Sequence, residues 1–191
     1  MANSPRSALS ELTDVLTRLA VPHAIGGSVA SASCGVFRST LDVDMVVHLG
    51  SASVGALAAS LGRNWYADPD YIRESLRAGR SFNLVHMPTV GKFDLFPAIS
   101  EFHARQLERA RPKDVEYFGD IVNCPVVSPE DILLAKLRWY RDGGEVSERQ
   151  WSDIHGILAI NANLDFNYIN HWAASLGVSD LLARALYQQG G

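Results

Sequence analysis

Apolar positions change their period from segment to segment along the 191-residue chain, and those changes lay out its elements. Leu9, Leu12, Val15, Leu16 and Leu19 recur at three and four residues, which predicts an amphipathic helix ending before Pro22. "HAIGG" reads as a short strand entering a glycine turn, and "SVASASCGVF" as a short helix of small residues. The next run, "LDVDMVV", alternates apolar and acidic residues and then turns wholly apolar, as a strand with one polar rim does. "SASVGALAASLGRN" and "DPDYIRESLRAG" predict two helices. "SFNLVHMP" and "GKFDLFPA" predict a hairpin joined at Thr89-Val90 between Pro88 and Gly91. "SEFHARQLERARPKD" predicts a charged helix, and "EYFGDIVNCPVVS" one or two further strands. From Ser128 the pattern is helical to the end, opening with a Ser cap, Pro at the first helical position and acids in the first turn.

The alternation implies a chain of the α/β or α+β class. A strand-bearing part, residues 1–127, gives way near Ser128 to a helical part, residues 128–191. Composition adds little beyond class: 47% hydrophobic and 20% charged residues describe an ordinary globular protein long enough to bury a core without staples. No apolar stretch reaches bilayer-spanning length, so no membrane partner is expected. The N-terminus lacks a basic segment followed by an apolar core, and the expected location is the cytoplasm. Cys34 and Cys124 stand alone, and six histidines show no metal-ligand spacing. A net charge of −4 argues against tight nonspecific nucleic-acid binding. The basic run "HARQLERARPK" could touch RNA phosphate, but reads first as a solvated helix face.

The candidate chemistry sits in the acidic strand. Acids are poor strand formers and are rarely buried without compensation. Asp42 and Asp44, two apart, share one face at roughly 6.5–7 Å while Val43 and Met45 enter the core on the other. Two such carboxylates repel unless a cation lies between them, and a hard divalent ion such as magnesium suits oxygen donors. In "KFDLF", Asp94 alternates with Phe93 and Leu95 and would join the pair if the strands are neighbours. Three carboxylates could hold two ions roughly 3.5–4 Å apart, the geometry of phosphoryl transfer. Upstream, Gly26, Gly27 and Ser28 form a turn between strand and helix, where backbone N–H groups can approach a phosphate.

The order of these pieces resembles the DNA polymerase β-like nucleotidyltransferases, whose fingerprint is G-[GS] followed by D-x-[DE]. The string "GGSVASASCGVFRSTLDVDMVV" is most similar to the AbiEii/MenT-like branch, where an arginine and a small hydroxyl residue precede the acids; here these are Arg38 with Ser39 and Thr40. "EDILLAKLRWYRDGGEVSERQWSDI" is similar to that branch's lysine followed by an aspartate about one helix later. The resemblance implies a mixed β-sheet flanked by helices with a helical C-terminal part completing the cleft. It implies one or two magnesium ions, a nucleoside triphosphate substrate and nucleotidyl transfer to an acceptor. It also implies that Lys136 contacts nucleotide phosphates and that Asp153 lies at the rim of the site. Some members of the branch are toxins that modify tRNA, with a cognate antitoxin as partner.

Each residue has a plainer reading. Asp42 and Asp44 could form the solvated face of an edge strand, Asp94 a solvated hairpin face, and Gly26-Gly27-Ser28 a simple turn and cap. Lys136, among Ile132, Leu133, Leu134 and Leu137, could snorkel from an apolar face. Asp153 could pair with Arg149 one turn earlier, and Arg38 could be a structural partner of the acids. Two rival functions stand beside the tRNA-modifying enzyme: a small-molecule, aminoglycoside-type nucleotidyltransferase, and a catalytically silent binding or antitoxin protein of the same fold.

Overall fold

The computed structural model of the protein describes residues 7–33 and 42–189. Helix α1 (Ala8–Arg18) is capped by Ser7, whose hydroxyl accepts the Ser10 N–H at 3.3 Å. Its buried stripe of Leu9, Leu12, Val15 and Leu16 packs toward α3 (Val54–Leu61). Strands β1 (His23–Ile25) and β2 (Asp42–Val47) flank the short helix α2 (Gly27–Ser33) in the chain. After α3 come β3 (Trp65–Tyr66), α4 (Pro69–Arg77), then β4 (Phe82–His86) and β5 (Gly91–Pro97), followed by α5 (Glu101–Arg109). A second hairpin, β6 (Arg111–Tyr117) and β7 (Asp120–Val126), leads into α6 (Pro129–Asp142), α7 (Glu148–Ile160), α8 (Phe166–Ser175) and α9 (Ser179–Gln189).

Seven strands form one mixed sheet in the order β3-β4-β5-β2-β1-β7-β6. The β2–β5 and β1–β7 pairs are parallel and the remaining pairs antiparallel. The acidic strand is therefore interior to the sheet, covered on both edges by neighbours, and not an edge strand. Its burial alternates as expected: Val43 and Met45 are fully buried, Asp42 is exposed and Asp44 lies between. Helices flank the sheet, with α3 contacting α1 and α4 while α2 and α5 contact β2. Among the described residues every strand lies before Ser128, and all elements from Pro129 onward are helical.

One expectation is corrected. The charged helix stops at Arg109 rather than running to Asp114, because Ala110 is already extended and Pro112 disfavours a helical Arg111. The segment becomes β6 instead, at the sheet's edge, where a proline is tolerated. The two-residue strand β3, directly after the predicted helix, is an addition to the expected elements and is too short to show a period.

Candidate active site

Parallel pairing of β2 with β5 sets Asp44 directly opposite Asp94, and Asp42 opposite Lys92. The three acids thus stand on adjacent strands and on one face of the sheet. Lys92 shares that face, two residues before Asp94, and its Nζ donates to Asp94 Oδ2 at 2.7 Å. Sequence reasoning passed over this lysine, although its i, i+2 spacing to Asp94 in "KFDLF" was the available signal. Burial, and then the Asp94 charge, push the Asp44 carboxyl up to about 6; Lys136 and the Ser28 backbone N–H act in the opposite direction. Asp44 is a carboxylate short of positive charge.

The glycine turn is shaped around that carboxylate. Gly26 N–H donates to the Asp44 backbone oxygen at 2.8 Å. Gly27 adopts φ +57°, and any Cβ there would overlap the Asp44 side chain, so close approach and backbone conformation both demand glycine. At Gly26 the nearest atom to an added Cβ is 3.9 Å away. Ser28, at the start of α2, gives its N–H to Asp44.

Lys136 and Asp153 come together across α6 and α7, with Lys136 Nζ donating to Asp153 Oδ2 at 2.7 Å. Lys136 is only 3% exposed, so it does not snorkel. Its charge reaches Asp44, and α6 packs against α2, the helix that follows the glycine turn. Arg38, with Ser39 and Thr40, lies outside the described residues.

The donor set suits a hard divalent cation, since Asp42, Asp44 and Asp94 offer only oxygens and Asp44 resists ionisation without a positive neighbour. Among the described residues no three His, Cys, Asp or Glu side chains are gathered closely enough to hold an ion as they stand. Lys92 draws Asp94 into an ion pair instead.

A cavity of about 410 Å³ opens beside Asp44, between the sheet and helices α5 and α6, with Gly27, Val46, Phe96, Gln106 and Trp139 in its walls. Another of about 420 Å³, between α1 and Trp65, touches none of the candidate residues. Among the described residues no helix is long and apolar enough to cross a membrane.

No protein-family model matches the chain, and no curated protein matches it significantly. Solved structures do. The antibiotic-resistance factor ANT(2'')-Ia in solution superposes with a TM-score of 0.52 at 14% identity, covering 96% of each chain. The same factor in complex with adenylyl-2''-tobramycin gives 0.50 at 14% identity, over 88% of this chain and 94% of the other. A nucleotidyltransferase-like protein from Paracoccidioides brasiliensis gives 0.49 at 22% identity, over 96% and 95%. At such identities the likeness concerns architecture: a mixed seven-stranded sheet flanked by helices, the nucleotidyltransferase fold.

Proposed function

We propose that this protein is a magnesium-dependent nucleotidyltransferase, moving a nucleoside monophosphate from a nucleoside triphosphate to an acceptor hydroxyl. The observation that carries the reading is Asp44 facing Asp94 across a parallel strand pair, with a glycine turn fitted against Asp44. Magnesium, when bound, would screen the phosphate charge and align the acceptor oxygen. Asp42 and Asp44 would hold it, and Asp94 would complete the set once Lys92 swings away.

The remaining residues bind and move protons. The Gly26-Gly27-Ser28 turn cradles the outer phosphates. Lys136, held by Asp153, lowers the cost of negative charge on the departing pyrophosphate, and Arg38 has a similar part. Asp94 accepts the proton of the attacking hydroxyl as its oxygen bonds to the α-phosphorus and the bond to pyrophosphate breaks. Catalysis of this kind is mostly positioning and electrostatics.

Two acceptors compete. The resemblance of "GGSVASASCGVFRSTLDVDMVV" favours tRNA and a toxin role with an antitoxin partner. The structural likeness to a factor seen with adenylyl-2''-tobramycin favours a small molecule. Incubation with labelled triphosphates and magnesium, offering tRNA and aminoglycosides separately, tests both by adduct mass spectrometry. Label on either acceptor, lost in Asp44→Asn, supports the transferase. Absence of magnesium-nucleotide binding at millimolar concentration would leave a silent binding protein.

A further inference from the structure

Two residues in the wall of the cavity beside Asp44 carry buried polar atoms with no partner. Gln106 is 3% exposed, and its Oε1 accepts no hydrogen bond. His103, one turn earlier on α5, has a buried Nδ1 that is equally unsatisfied. Both residues line the same cavity. A buried, unpaired carboxamide oxygen costs about 1–3 kcal/mol, a cost a ligand donor would remove. Burial lowers the His103 pKa, so the ring is neutral at pH 7 and adds no charge.

The walls around these two groups are flat and apolar. Phe96 and Trp139 meet with ring centroids 5.6 Å apart, and Phe102 and Ile132 add to the lining. At the exposed rim, Arg138 and Asp142 neutralise one another at 2.9 Å. Away from Asp44 the cavity thus presents no uncompensated charge, which suits a neutral ring and not a polyamine. Base stacking on aromatic side chains needs only such a surface.

Position decides which part of the reaction the cavity serves. Its wall includes Gly26, Gly27 and Asp44 but neither Asp42, Lys92 nor Asp94. In-line displacement puts the acceptor opposite the leaving pyrophosphate. With the outer phosphates at the glycine turn and the acceptor at Asp94, the cavity lies on the nucleotide's side. We infer that it holds the base of the nucleoside triphosphate, and that Gln106 selects a base whose exocyclic amine donates to its Oε1. This rests on the transferase reading above.

Equilibrium titration with non-hydrolysable triphosphates and magnesium tests it, using two pairs that differ at the amine: cytidine against uridine, and adenosine against purine riboside. At least one pair should differ tenfold or more in affinity in the wild type, and Gln106→Met should erase that preference. The wild-type comparison needs no variant to fold. Equal affinity within both pairs, with label transfer intact, would overturn base selection and leave the transferase standing. A preference that survives Gln106→Met would overturn the role of Gln106. Failure of every triphosphate to bind would overturn both readings.

Discussion

Gly27 and Asp44 fit together so closely that the glycine has no room for a side chain: any Cβ would enter the Asp44 carboxylate. The turn and the acidic strand are therefore one unit, built from residues seventeen positions apart in sequence. Gly27→Ala should cost about 1–3 kcal/mol, since the positive φ and the steric conflict act together. Gly26→Ala, with space around it, should cost under about 1 kcal/mol. Urea denaturation of the two variants makes the comparison, and equal losses would contradict it.

Asp44 also makes stability depend on pH. Its pKa is pushed up to about 6 in the fold against 3.8 for an ordinary aspartate, so between those values the folded state binds more protons than the unfolded one. Stability contributed by this group therefore falls as pH rises through that window, and the penalty is complete above about 6. In metal-free protein, Asp44→Asn should be more stable than wild type at pH 7.5 by about 1–3 kcal/mol. The advantage should shrink toward pH 4. Magnesium should raise the wild-type melting temperature at pH 7.5 and leave Asp44→Asn nearly unchanged.

Lys92 competes with any metal for Asp94. Lys92→Ala removes a cation 2.7 Å from that carboxylate and should tighten magnesium binding several-fold, read by titration calorimetry. Weaker binding would mean that Asp94 is not a ligand.

The buried Lys136–Asp153 pair should resist dissection. Lys136→Met removes a cation that donates to the buried Asp153 carboxylate at 2.7 Å and should cost about 1.5–3 kcal/mol. Changing both residues, Lys136→Met with Asp153→Leu, should recover most of that stability while nucleotide turnover stays low. Recovery of turnover as well would assign the pair to structure alone.

The acids were legible because their signal is local: a period of two with carboxylates in one phase survives whatever the rest of the chain does. Their meeting followed from strand order, which sequence alone does not print. Lys136 and Asp153 were nameable only through resemblance, and their direct contact depends on how α6 lies on α7. Gln106 and His103 were invisible. Inside "HARQLERAR" they read as part of a solvated surface, and nothing local distinguishes the face that turns under the sheet. Pro112 was a signal that α5 ends, but the predicted helix ran past it because the charges around it masked a strand.

The sheet fixes one half of this site and the helices fix the other. Asp44 and Asp94 keep their spacing through a hydrogen-bonded ladder that tolerates no gradual adjustment. Gln106 and His103 belong to a nine-residue helix whose neighbours can be exchanged one side chain at a time. A descendant of this protein could thus change the proposed base preference while leaving the proposed reactive centre untouched, which makes the α5 surface the place to begin redesigning selectivity.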